Sequence, residues 1–237
     1  MQQIDKVLVF DIWGDYAHFR KIETTTSPLT YFIPTRTALS GIISAILGLE
    51  RDSYYELFFP ENAQLAVRVL KSLKKVRINI NLIKTDEGFY LWDIRNNPRS
   101  PTPFEFVKDP NYRIYVWLKD KKVYEKLKDF LQYHKSYYTP YLGTSELIAN
   151  FKFIGEFDVD IRNAKNEEEI HTVVRNDKST LIVEKYKLYI KERIPIFMNN
   201  NRVVQEYADV FFEANANSVK IKNGEFYRIG EENVVFL

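Results

Sequence analysis

The chain has 237 residues, no cysteine, three histidines and a formal net charge of +2. This excludes a disulfide framework, a thiolate nucleophile and cysteine-based zinc sites, while the scattered His18, His134 and His171 argue against a metal cluster. With 45% apolar and 15% aromatic residues, the length suits one large domain or two small ones around a packed core.

The opening MQQIDKVLVFDIWGD brings acids in early and lacks the basic-then-apolar order of a signal peptide. The longest uncharged apolar stretch, residues 37–49, is 13 residues long, short of the roughly 20 that a membrane span needs. A soluble, cytoplasmic protein without membrane contact is expected. Basic residues outnumber acidic ones before residue 155, and the order reverses afterwards. Residues 62–85 carry Arg68, Lys71, Lys74, Lys75, Arg77 and Lys84 and no acid, so a polyanion would be met there.

KVLVFDIWG reads as a first strand stopping at Gly14, followed by a loop rich in Thr, Ser and Pro over 14–34. Thr35 is a good N-cap, with Pro34 barring the helix from running further back. Ala38, Leu39, Ile42, Ile43, Ile46 and Leu47 form an apolar stripe at helical spacing, and Ser40, Gly41, Ser44, Ala45 and Gly48 fill the remainder with small side chains.

Two alternating segments follow, AQLAVRVL and VRININL, both expected as half-buried strands of an antiparallel sheet. TDEG at 85–88 reads as a turn, with FYLWDI running on from it. The segment 95–105, RNNPRSPTPFE, holds Pro98, Pro101 and Pro103, too much proline for a sheet, and reads as the tip of a projecting hairpin or loop.

YRIYVWL alternates again over 112–118. Residues 120–135 form an amphipathic helix with Val123, Leu127, Phe130 and Leu131 inward. ELIANFKFIGEFDVDI contributes a closing strand. The order β-α-β-β-(hairpin)-β-α-β predicts an α+β, ferredoxin-like (RRM-like) unit over residues 1–160 with a basic insertion at about 85–110. Residues 161–237 read as a small β-rich subdomain of strands LIVEKYKLYI, VVQEYADVFFEA and SVKIKNGEFYRI. Asn223-Gly224 in the last is a strong hairpin signal.

The helix start at Thr35, Arg36 and Thr37 offers free N–H groups, a dipole and a guanidinium to an anion, and the small face would let another backbone come close. A helix packed on both sides, with Arg36 solvated, fits the same residues. Arg68, Arg77, Asn79 and Asn81 could track an RNA backbone, although a solvated polar sheet face is the plainer reading. WGDYAHFRK and YHKSYYTPY mix aromatics with cations, which suits single-stranded nucleic acid; singly, each is more often core plus surface charge. His134 and Lys135 near Tyr137 could supply a base and a charge stabiliser for metal-independent RNA cleavage, while a histidine ending a helix is usually a cap. Paired carboxylates, Walker loops, GxSxG and HExxH are absent from the sequence, so no cofactor or metal is expected.

Residues 7–49, VLVFDIWGDYAHFRKIETTTSPLTYFIPTRTALSGIISAILGL, closely resemble the N-terminal signature of the fifth CRISPR-associated protein family, the RAMP-superfamily subunit of type I Cascade. YTPYLGTSELIANF at 138–151 resembles that family's YLG-small-SE segment, and the branch most resembled is subtype I-B. The resemblance implies a ferredoxin-like domain with a projecting thumb that grips the 5′ handle of crRNA and caps the backbone filament. Its partners would be the Cascade backbone subunit, the large subunit and, through the assembled complex, target DNA.

On this resemblance Arg36 and the helix start meet handle phosphates, and Tyr16, His18, Arg20 and Lys21 line the same groove. Arg95 and Arg99 would lie against RNA or the backbone subunit, and Gly143, Thr144 and Ser145 would form a tight loop near the handle. One branch of the family, subtype I-C, cuts precursor RNA with a tyrosine, a lysine and a histidine. Here the order is His134-Lys135 and the tyrosine has no clear match, so the expectation is a non-catalytic subunit. A metal-independent endoribonuclease using His134, Lys135 and Tyr137 is the alternative, and a protein-interaction module without RNA affinity is the third.

Overall fold

The computed structural model describes residues 4–24, 27–84 and 95–237; the expected turn at 85–88 and the segment FYLWDI lie outside them. In chain order come β1 (Lys6–Trp13), β2 (Tyr16–Ala17), β3 (Phe19–Arg20), β4 (Thr30–Tyr31), α1 (Arg36–Leu47), a 3-10 turn (Glu56–Phe58), β5 (Ala63–Val69), β6 (Lys74–Ile83) and β7 (Arg99–Lys108). They are followed by β8 (Asn111–Leu118), α2 (Lys121–Gln132), β9 (Asn150–Asn163), β10 (Glu168–Ile170), β11 (Val174–Arg175) and β12 (Leu181–Ile182). The chain closes with β13 (Tyr189–Met198), β14 (Val204–Glu213), β15 (Val219–Ile221), β16 (Glu225–Ile229) and β17 (Glu232–Val234).

The main sheet runs β17-β16-β9-β1-β8-β5, every neighbouring pair antiparallel. Its central strand β1 is apolar at successive positions because both faces of the sheet are covered. Leu8, Phe10 and Ile12 join Leu65, Val67, Ile114 and Val116 beneath α1 and α2. Val7 and Val9 face the other way, with Ala66, Tyr115 and Trp117, under Ile229, Val234 and Phe236.

Thr35 caps α1 as expected: its side chain accepts from the Ala38 N–H, and Gly48 ends the helix in the left-handed region at φ 76°. The anticipated stripe is buried except for Ala38, and Ser40 and Ser44 are buried with it. Thr37, Ala38, Gly41, Ala45 and Gly48 remain half-open, a continuous line of small residues along one side. In α2 the Asp120 carboxylate caps Lys122 and Val123, and the fully buried residues are Tyr124, Leu127 and Leu131.

Besides the strand expected over LIVEKYKLYI, which breaks into β12 and β13 around a turn at residues 185–186, three sequence expectations are corrected. First, β6 does not join the main sheet. It pairs along its length with β7 as an arm inserted between β5 and β8, so the insertion begins near residue 74 rather than 85. Alternation is present as expected, yet Ile78 and Leu82 are about 40% exposed, because the arm has no layer to cover its apolar face.

Second, the proline-rich segment from Arg99 onward is a strand, with Pro101 opposite Asn81 and Pro103 opposite Asn79. The Glu105 N–H, of the same parity, bonds the Pro28 carbonyl at 3.0 Å, away from β6. Positions 101 and 103 therefore direct their missing N–H to the unpaired edge, where proline costs no ladder bond.

Third, Asn223-Gly224 does not join a hairpin. β15 pairs with β10 and β12, whereas β16 pairs with β9 and β17. Gly224 sits at φ 115°, where a Cβ would lie 2.4 Å from Ser179 Oγ, and the pair turns the chain from one sheet into another.

The boundary expected at 160 falls within β9, and β16 extends the main sheet through that same strand. Ile194, Ile196, Val210 and Phe212 of β13 and β14 belong to the core under α1.

Candidate nucleic-acid interface

A cleft of about 650 Å³ opens at the N-terminus of α1. Thr35, Thr37 and Ala38 form its floor, His18, Phe19, Arg20 and Tyr31 one wall, and Pro195, Met198, Arg202, Val204 and Tyr207 of the β13–β14 hairpin the other; Phe104, Gly143 and Thr144 complete it. A second hollow of about 210 Å³ shares Thr37, Ala38 and Gly143 and follows Gly41 and Ala45 toward Tyr54 and Tyr141. The small line of α1 is thus the floor of a groove. At its head, the N–H groups of Arg36 and Thr37 point out of the first turn, where no helical carbonyl can reach them.

The sequence-predicted residues separate into three groups. His18, Arg20, Thr35, Thr37, Gly143 and Thr144, drawn from three stretches of chain, meet in the cleft. Ser145 is exposed beside them, while Arg20 is exposed and donates to the Thr24 carbonyl at 3.2 Å. Arg77, Arg95 and Arg99 are exposed on or beside the arm, outside the cleft.

Others are committed elsewhere. Arg36 is fully buried, and its guanidinium donates to the carbonyls of Phe58 (2.6 Å), Ala63 (2.7 Å) and Ile196 (3.3 Å). It ties α1 to the 3-10 turn, β5 and β13, and its side chain is turned away from any phosphate at the helix start. Burial pulls its pKa down to about 10, partly offset by Glu206, so it stays charged at neutral pH. Lys21 pairs at 3.0 Å with buried Glu192, which also accepts from the Phe32 N–H. Tyr16 packs edge-on to Phe106, away from the cleft lining.

His18 is 2% exposed, its ring set against Phe104 and Phe106 at 5.3 and 5.6 Å. Nδ1 lies 2.7 Å from the Glu105 carbonyl and must donate to it. Burial lowers the pKa of His18, so a neutral ring stands in the wall of the cleft. Burial, with Glu23 and Glu192 nearby, pushes Tyr31 up to about 12, keeping its hydroxyl protonated.

The alternative catalytic trio lies in the segment that follows α2. His134 stacks on Phe151 at 4.6 Å, Lys135 lies over Tyr133 at 4.9 Å, and Tyr137 packs beside Tyr138 with its N–H on the Ile46 carbonyl. Among the described residues no side-chain hydrogen bond or ring contact joins the three.

Sequence reading missed the far wall. Arg202, at φ 59° in the tip of the β13–β14 hairpin, is held by Asp52 through two 2.8 Å bonds, and Tyr55 adds its hydroxyl at 2.5 Å. The clasp joins segments 150 residues apart, and no local pattern announces it. Arg202 and then Tyr55 lower the Asp52 pKa to about 2. A depressed carboxylate contributes stability that is complete above its unfolded value near 3.8 and is lost as pH falls toward 2. Melts taken from about pH 5 to about pH 2 are therefore expected to fall less steeply for Asp52→Asn than for the native chain.

Fold and cleft together define a sheet-based scaffold with a projecting basic arm and an aromatic groove edged by cations. The family model described as CRISPR-associated protein (Cas_Cas5) matches residues 7–226. The chain belongs to this family of CRISPR-associated proteins.

A crystal structure of a CRISPR protein from Archaeoglobus fulgidus has the same fold, with TM-score 0.60 and 14% identity over 98% of this chain and 99% of that one. A chain of a CRISPR RNA-guided surveillance complex aligns with TM-score 0.49 and 13% identity over 90% of this chain and 91% of that one. A search of curated proteins returned no match. No helix among the described residues is long and apolar enough to cross a membrane.

Proposed function

We propose that this protein is a non-catalytic subunit of a type I CRISPR effector, of the subtype I-B branch, that holds the 5′ handle of crRNA in the cleft and caps the backbone filament. The observation that carries the reading is the continuous groove: an open helix start, a floor of small residues and aromatic walls, with Arg20 and Arg202 at the rim. Aromatic faces accept unstacked bases, whereas free N–H groups and guanidinium groups accept phosphates.

The scaffold reading is ferredoxin-like. It is supported by the order β9-β1-β8-β5 with α1 and α2 as crossovers, the antiparallel 4-1-3-2 arrangement of a split βαβ unit. In the assembled effector, partners would be the backbone subunit along the arm, the large subunit and, through the complex, target DNA in antiviral defence.

The test is to incubate the protein in EDTA with end-labelled repeat RNA and a shuffled control on parallel native and denaturing gels. A repeat-preferring shift without product is expected, weakening steeply with salt. Arg20→Ala should flatten the salt dependence by about one counterion. Failure to shift the repeat would overturn the proposal, and cleavage at one position, lost in His134→Ala, would establish the endoribonuclease instead.

A further inference from the structure

Between β12 and β13 the chain makes a tight turn at Lys185 and Tyr186. Tyr186 sits at φ 66° and is 102% exposed. Left-handed backbone at the third position of a turn is the place of glycine or asparagine, and an aromatic residue there is strained. Its ring recovers nothing by packing, since it has no burial at all. Strain held without a folding benefit points to a use outside the fold.

The surroundings of the turn narrow that use. Val183 and Leu188 are 75% and 59% exposed, so apolar surface flanks the ring. Glu184 is held by Lys187 and, at 3.3 Å, by Lys220, which also reaches Glu167 at 3.8 Å. Glu184 is thus held between two lysines, Glu167 and Glu169 flank the same Lys220, and Lys185 stands exposed next to the ring without an ion pair among the described residues. An exposed aromatic face beside an unpaired ammonium matches an unstacked base next to a phosphate. None of these residues lines the cleft.

We infer that the 183–188 turn is a second contact for single-stranded nucleic acid, in which Tyr186 stacks on a base and Lys185 meets the adjacent phosphate. A duplex fits less well, because its base faces are already stacked. The inference is independent of what the cleft binds.

The direct test is photocrosslinking of the full chain to 5-iodouracil-substituted single strands, RNA and DNA in parallel, with the crosslinked residue mapped by mass spectrometry. A crosslink at Tyr186 is expected, retained in Tyr186→Phe and competed by unlabelled single strand more than by duplex. Tyr186→Gly should lower affinity for a long single strand about tenfold while leaving the melting temperature unchanged or raised, since glycine relieves the turn. A purely structural tyrosine would change stability and not affinity. Crosslinks confined to cleft aromatics, with Tyr186→Gly binding within twofold of native, would overturn the inference and leave the turn as a contact for protein.

Discussion

Arg36→Ala is expected to melt well below the native chain with no RNA present. The substitution strips donors from three carbonyls, those of Phe58, Ala63 and Ile196, in a site with no water access. Each stranded buried carbonyl costs ~1–3 kcal/mol, and relief of the desolvated charge returns part of it, for a net loss of ~3–5 kcal/mol. For a chain of this length that is a fall of ~10 °C. Arg36→Met, which keeps much of the stem volume, should recover little, because the missing donors carry the effect. Arg36→Lys should fall between, since one ammonium cannot span three carbonyls as the guanidinium fork does. Thermal melts of the free protein check this. An unchanged melt with a reduced salt slope for RNA binding would restore the phosphate role that the sequence suggested.

Gly143→Ala is expected to damage both fold and cleft. Gly143 lies at φ 107°, and a Cβ there would stand 1.9 Å from the carbonyl oxygen of His18. The clash is with backbone, and that backbone is fixed by the 2.9 Å bond from the His18 N–H to the Leu142 carbonyl. Neither strand can yield without separating the wall from the 142–144 loop. Strained backbone plus forced separation costs ~2–4 kcal/mol, or ~5–12 °C in a melt. Because Gly143 borders both hollows, repeat-RNA affinity should fall more than in a surface variant of equal stability. Binding measured well below the melting temperature separates the two effects. Native affinity in a folded Gly143→Ala protein would exclude this loop from the RNA path.

The two residues show how differently sequence and structure inform a site. PTRTALSGIISAILG displays an N-cap, an apolar stripe and a small stripe in its letters, and α1 begins and ends where they indicate. The same letters place Arg36 at the head of the helix but cannot choose between solvent and core. That choice belongs to β5, the 3-10 turn and β13, whose carbonyls converge there. Gly143 was legible as a tight-loop residue, while its reason, the His18 backbone 125 positions earlier, was not.

What depends on neighbours along the chain is legible in the letters: β1, α1, β8, α2 and β9, the alternation in β6, and a family signature concentrated before residue 50. These follow from side-chain period, caps and turn chemistry, which act over a few residues. Long-range packing settles that β6 leaves the main sheet, that Pro101 and Pro103 occupy a free edge, that the Asn223-Gly224 turn switches sheets, and that the β13–β14 hairpin supplies the far wall of the cleft. The physical reason is common to all four. Which partner a strand edge or a buried charge finds is settled by competition among distant segments for the same hydrogen bonds and the same apolar surface, and local sequence carries no record of who wins.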